Sequence, residues 1–142
     1  MAEEQAPSVV AALEGTVHRV LERLAAELRD LGLTQGEVNA LVHLAPRAGS
    51  SVSRLQAATG QRASTLTGVI DRLERRGLVE RRPNPHDRRS FTITLTADGR
   101  EAATRVRRAF RELDRRALAA VSERSAKGFF ETLRALDELA ER

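Results

Sequence analysis

Residues 62–100 read RASTLTGVIDRLERRGLVERRPNPHDRRSFTITLTADGR, and within them the hydrophobic period switches from helical to extended. Leu66, Val69, Ile70 and Leu73 fall at i, i+3, i+4 and i+7, the stripe of an amphipathic helix running from about Arg62 to Arg76. Ser64, Thr65, Thr67, Gly68, Asp71, Arg72 and Arg75 are left largely on the other face. Gly77 stops the helix. Leu78 to Arg82 then reads as a short strand, and Ser90 to Leu95 alternates strictly, with Phe91, Ile93 and Leu95 facing one way. The connection Pro83 to Arg89 is longer than a tight turn needs, is stiffened by two prolines and ends in adjacent arginines. A helix followed by a basic-tipped hairpin, a wing, is expected.

The flanking sequence is helical on both sides. Upstream, Ser8 can cap a long helix to about Asp30, striped by Val10, Leu13, Val17, Val20, Leu24, Leu28 and Leu31. Thr34 and Glu37 form a capping box ahead of Val38, Leu41, Val42 and Ala45. Pro46 to Ser50 breaks that helix. Ser51 can cap a short one carrying Val52, Leu55 and Ala58, which Gly60 ends. Downstream, Thr96 can cap a long helix striped by Ala103, Val106, Phe110, Leu113, Ala117 and Val121. Ser122 can cap a last helix with Phe129, Phe130, Leu133, Leu136 and Ala140. The fold class expected is mainly α with a small β-hairpin: a winged helix-turn-helix lobe at 34–95 flanked by helices at 8–31 and 97–142, in one domain spanning 1–142. The terminal stripes exceed what the winged module needs for its own core, so a second copy is expected to cover them, giving a homodimer.

Composition narrows the function. The chain has 142 residues, 41% of them hydrophobic and 31% charged with both signs mixed, which fits one folded domain. It has no cysteine, so disulfides, thiolate zinc sites, cysteine nucleophiles and thiol redox sensors are excluded. The start MAEEQAPS lacks the order of a signal peptide, and no apolar run approaches the ~18 residues of a membrane span. A cytoplasmic protein without membrane contact is expected. Paired carboxylates set for a cleft, a Gly-rich phosphate loop, a nucleophile motif and metal-ligand spacing are all missing from the sequence, so neither an enzyme nor a cofactor is expected. The net charge of +4 is concentrated: residues 51–100 carry +5 and the remainder −1. Basic charge in the middle of the chain points to nucleic acid.

Two short helices joined by a Gly-containing turn meet the requirements of a helix-turn-helix, with the second as reader. In a major groove Thr65 and Thr67 can touch base edges or thymine methyls, Ser64 can bond a phosphate, and Arg62 and Arg72 can reach guanine or phosphate. The plainer reading of the same residues is a solvated helix face. At the wing, an arginine can enter a minor groove. Asp87 is spaced to brace the Arg89 guanidinium or to pair with Arg88; a solvated turn with a surface ion pair is the alternative.

The run from Arg62 to Arg100 resembles the winged helix-turn-helix of MarR-type (multiple antibiotic resistance regulator) transcription factors. The resemblance lies in the S-T-x-T start of the reading helix, the D-R-L-E-R-R-G-L-V-E-R at its end, the wing D-R-R-S and the L-T-x-x-G that follows. It extends more weakly over nearly the whole chain, including L-T-Q-G-E at the start of the second helix. It implies a dimer held by the first and last two helices, each lobe reading half of a pseudo-palindrome in double-stranded DNA, and repression relieved by a small, often aromatic or anionic effector. It implies Ser64, Thr65, Thr67 and Arg72 as groove and phosphate contacts, and Arg89 as the wing arginine with Asp87 in support. Gly68 stands where many members carry a larger, often basic, side chain.

The sensing half is less legible. His18, Arg19 and His43 are candidates to line an effector pocket, with Arg47 a further cation for an anionic ligand; for the two histidines metal ligation with nearby carboxylates is an alternative and a hydrogen-bonded interface position the plainer reading, while surface charge accounts equally for the two arginines. His86 can contact phosphate or simply be solvated in the wing. Three scattered histidines make no metal site. Half-sites about one helical turn apart, roughly 10 bp, are expected. Two rivals remain: an architectural or weakly specific DNA binder of the same fold, and a protein-interaction module that has lost DNA.

Overall fold

A computed structural model describes residues 7–45 and 49–140, and of Arg88 the backbone alone. Six helices are present among the described residues, α1 (Val9–Glu27), α2 (Gln35–Leu44), α3 (Val52–Thr59), α4 (Ala63–Arg75), α5 (Ala97–Ala119) and α6 (Glu123–Ala140). Three strands join them, β1 (Ser50–Ser51), β2 (Val79–Asn84) and β3 (Asp87–Leu95). The chain divides into two compact units, Met1–Ala109 and Phe110–Arg142, with the boundary inside α5. The mainly helical winged-helix class expected from the sequence is the class observed.

The caps do the punctuation read from the sequence. Ser8 Oγ accepts from Ala11 N at 3.3 Å, and Ser51 Oγ from Arg54 N at 3.2 Å. In the capping box Thr34 N donates to Glu37 Oε2 at 2.7 Å and Glu37 N to Thr34 Oγ1 at 3.3 Å. Gly60 ends α3 at φ 65°, a left-handed conformation open to glycine at little cost. α1 stops earlier than its stripe suggests: Arg29–Leu31 tighten into a 3₁₀ turn closed by Gly32. The stripe at Leu28 and Leu31 survives that change, because a single tighter turn barely rotates the apolar face.

The sheet is antiparallel in the order β1-β3-β2. Its third strand, two serines paired with Ile93 and Thr92, has no hydrophobic period and was invisible to pattern reading. The hairpin also differs from expectation. Its strands run on to Asn84 and resume at Asp87, so the tip is a two-residue turn instead of a seven-residue connection. Polar side chains close it: Asn84 Nδ2 donates to Ser90 Oγ at 3.0 Å, His86 N to Asn84 Oδ1 at 3.0 Å, and Ser90 Oγ to the Asp87 carbonyl at 3.2 Å. The spare residues are taken up by a bulge. Pro83 pairs with Phe91 but Asn84 with Asp87, leaving residues 88–90 without an opposite number.

The core of the first unit is built by Leu41 and Leu44 of α2, Leu55 of α3, Leu66, Val69, Ile70 and Leu73 of α4, Val79 and Ile93 of the sheet, and Ala103 and Val106 of α5. Of the three residues expected on one strand face, only Ile93 is buried; Phe91 stands out near the wing tip, beyond the core. The wing is pinned to α5 through the L-T-x-x-G segment. Thr96 Oγ1 donates to the Gly77 carbonyl at 2.6 Å and accepts from Gly99 N at 3.0 Å. A Cβ at residue 99 would stand 1.7 Å from the Leu78 carbonyl oxygen, so only glycine fits there. In the second unit Ser122 Oγ caps α6 by accepting from Ser125 N at 3.1 Å, and no α6 residue is buried.

Candidate nucleic-acid interface

The reading helix is held by its back. Leu66, Val69, Ile70 and Leu73 are all buried, which turns Ser64, Thr65 and Thr67 outward as exposed side chains, with Gly68 and Arg72 partly covered. Arg62 is the N-cap residue and exposed, with no capping bond from its side chain. Thr67 Oγ1 donates to the Ala63 carbonyl at 2.9 Å, which spends its proton on the helix and leaves its lone pairs for a partner. Arg75, not singled out as a contact from the sequence, is also exposed on this helix. The helix-turn-helix corner is fastened by α2: Asn39 Nδ2 donates to the Thr59 carbonyl at 3.3 Å, and Gln61 N to Thr59 Oγ1 at 3.3 Å. α2 lies close on α4, for a Cβ on Gly36 would meet Val69 Cγ2 at 2.9 Å.

Two ion-pair clusters frame α4, and neither was foreseen. Glu37 is 2% exposed, with Arg72 Nε 3.4 Å from its Oε1 and Arg76 Nη1 3.5 Å from its Oε2. A buried carboxylate needs such compensation. Arg76 also donates to the Gly32 carbonyl at 2.8 Å and the Leu31 carbonyl at 2.6 Å, tying the 3₁₀ turn to the end of α4. On the other flank Arg81 of β2 bonds both Asp71 and Glu74 of α4. The hydrogen bond to Asp71 raises the Arg81 pKa from its ordinary value; burial opposes this and the charges of Glu74 and Asp71 reinforce it. Arg81 of the wing thereby offsets one of the two negative charges that Asp71 and Glu74 place on this helix. The sequence signal for the first cluster was present in Arg72 and Arg76, one helical turn apart, but their shared partner lies on another helix.

The wing carries Arg89 exposed within the bulge, and His86 exposed in the turn. Asp87 does not brace the Arg89 guanidinium; its Oδ1 accepts from Arg89 N at 3.0 Å and so shapes the backbone that carries the arginine. A carboxylate two residues back reaches the amide more readily than the end of a long side chain, as in other Asx turns. The side chain of Arg88 lies outside the described residues.

A cavity of about 150 Å³ opens between the C-terminal half of α1 and the start of α2, lined among others by His18, Glu22, Leu24, Leu28, Gln35 and Val38. His18 Nε2 is 3.3 Å from Glu22 Oε1 at its rim. Arg19 and His43 are not brought to this cavity: Arg19 Nη2 donates to Thr16 Oγ1 at 3.3 Å on the same helix. Arg47 lies outside the described residues. Among the described residues no cluster of three or more His, Cys, Asp or Glu can hold a metal ion, and no helix is long and apolar enough to cross a membrane.

A polar helix face set beside a basic wing defines a winged-helix DNA-binding protein. Residues 31–90 match the MarR family. The HTH-type transcriptional regulator BilQ of Clostridium symbiosum (strain WAL-14163) is 26% identical over 116 residues, 82% of this chain and 81% of that protein. The transcriptional repressor MprA of Escherichia coli (strain K12) is 33% identical over 85 residues, 58% of this chain; the match spans about half of that protein, 48%. Among solved structures, a probable transcriptional regulator from Pseudomonas aeruginosa superposes with a TM-score of 0.71 at 30% identity, over 91% of this chain and 96% of that one. MepR of S. aureus in complex with DNA shares the fold, with a TM-score of 0.82 at 19% identity over 94% and 99% of the two chains. The segment 31–90 is thus a MarR-type winged-helix region in a DNA-binding transcriptional regulator, and the relatives it matches are regulators rather than enzymes.

Proposed function

We propose that this regulator is a homodimeric repressor in the cytoplasm that reads a pseudo-palindromic operator and releases it when a small molecule binds. The observation that carries the reading is the outward face of α4: Ser64, Thr65 and Thr67 stand exposed in a row, beside Gly68 and Arg72, while Arg89 is exposed in the wing. Arg62, Ser64, Thr65, Thr67, Gly68 and Arg72 enter or border the major groove; Arg88 and Arg89 serve the adjacent minor groove, with Asp87 shaping their backbone. Helices at 8–31 and 97–142 form the dimer. Exposed apolar residues on both support this, among them Val9, Val10, Val17 and Val20 on the first and Phe129, Phe130 and Leu139 on the second. The effector site is the cavity rimmed by His18, with Arg19 and His43 outside it. Repression is supported by the similarity to MprA.

The test is selection of random duplex DNA by the purified protein, followed by titration of the enriched and scrambled DNA at two salt concentrations. An inverted repeat with half-sites about 10 bp apart is expected. Binding that falls steeply with salt without an enriched motif makes the protein an architectural binder instead. The operator so obtained then reports effectors, each expected to lower DNA affinity.

A further inference from the structure

We propose that Arg72 is a guanine-reading residue whose guanidinium is set in place before DNA arrives, by Glu37 behind it and by the absence of a side chain at Gly68. The proposal rests on the operator-reading role above. An exposed arginine normally loses much side-chain freedom when it docks on a base. Arg72 has lost part of that freedom already. Its Nε is buried and lies 3.4 Å from Glu37 Oε1, without a hydrogen bond of its own. Its Nη1 lies 3.6 Å from where a Cβ on Gly68 would stand, so the head of the side chain leans back over the outer face of α4, one turn toward the N-terminus.

The other arginine on Glu37 is differently occupied. Arg76 spends its Nη atoms on the carbonyls of Gly32 and Leu31 as well as on Glu37. Among the described residues Arg72 has no hydrogen-bond acceptor on its Nη atoms, which leaves the planar end of its fork for O6 and N7 of a guanine. Glu37 is a positioning residue in this scheme, and the cleared space above Gly68 is part of the same device. A Cβ at 68 would already be in van der Waals contact with Arg72 Nη1, so a longer side chain there competes for the space beside the guanidinium.

The experiment is the random-DNA selection repeated with Glu37→Gln, Arg72→Lys, Gly68→Gln and the double variant Glu37→Gln/Arg72→Lys, in the full chain, with circular dichroism to confirm folding. Glutamine keeps an oxygen for Thr34 N and loses only the charge. Wild type is expected to select a guanine at one position of each half-site. Each variant is expected to lose that preference, by about fivefold or more against other bases, with other positions unchanged. Adding Glu37→Gln to Arg72→Lys is expected to cost nothing further at that position. Unchanged base preference in folded Glu37→Gln overturns the proposal, as does a uniform loss at all sequences with a shallower salt slope, which is the mark of a phosphate contact. Should Glu37→Gln fail to fold, Gly68→Gln decides the matter by the same readout. A wild type that selects no motif defeats the operator-reading role itself, a distinct result.

Discussion

At the scale of single residues, the interface is a set of arginines whose neighbours differ. Arg89 is exposed and its backbone is fixed by Asp87, so it is free to enter a narrow groove. Arg89→Ala is expected to weaken operator binding most where the flanks are A·T-rich, as competition titrations with flank variants can read; an unchanged flank preference removes the wing assignment. Arg81 has the opposite role, bonding Asp71 and Glu74. Arg81→Ala is expected to cost about 1 kcal/mol of stability, because the pair is partly exposed. Its larger effect is on DNA affinity, through two carboxylates left uncompensated on the reading helix. That loss should shrink as salt is raised; equal affinity of variant and wild type at low salt refutes the charge-offsetting role. Ser64, Thr65 and Thr67 of α4 were legible in the sequence, since helical spacing alone turns them away from the apolar stripe. The partners of Arg72 and Arg81 were not, because each lies on a different element.

At the scale of elements, the caps and stops were legible and the pairings were not. Ser8, Thr34, Ser51, Thr96 and Ser122 all act locally, through bonds spanning three residues. The start of α5 does more than cap a helix. It holds the turn between α4 and β2 by backbone contact, and Gly99 makes the approach possible. Gly99→Ala places a methyl into a carbonyl group that cannot rotate away, and is expected to cost about 3 kcal/mol or more. Urea unfolding checks this: a lower midpoint at unchanged slope is expected, and an unchanged midpoint means the turn can shift freely. The bulge at 88–90 belongs to this scale too. Two prolines suggested a long loop, whereas hydrogen bonds among Asn84, Asp87 and Ser90 let the strands pair to the tip.

At the scale of the molecule, apolar surface is left uncovered on both units. Phe129 and Phe130 are 52% and 56% exposed, their rings edge to face at 5.8 Å, next to Leu118 and Val121 in an apolar groove of the second unit. Contiguous exposed apolar side chains of this kind mark a surface for a protein partner, and a second copy is the expected one. Phe129→Ser with Phe130→Ser is expected to shift the protein from dimer to monomer in analytical ultracentrifugation and to weaken operator binding by at least about tenfold, since two linked lobes bind with an effective concentration that one lobe lacks. A wild type already monomeric at micromolar concentration overturns the dimer.

The identity of nearly every element, the outward face of the reading helix and the basic centre of charge follow from the order of residues alone. Periodicity, capping and charge are local properties, expressed within one or two turns of chain. The meeting of Glu37 with Arg76, 39 residues apart, the pairing of two serines with β3, the register slip in the wing and the cavity beside His18 came only with the fold. These depend on which faces approach and how closely, and that is set by side-chain volume and backbone geometry shared between distant segments.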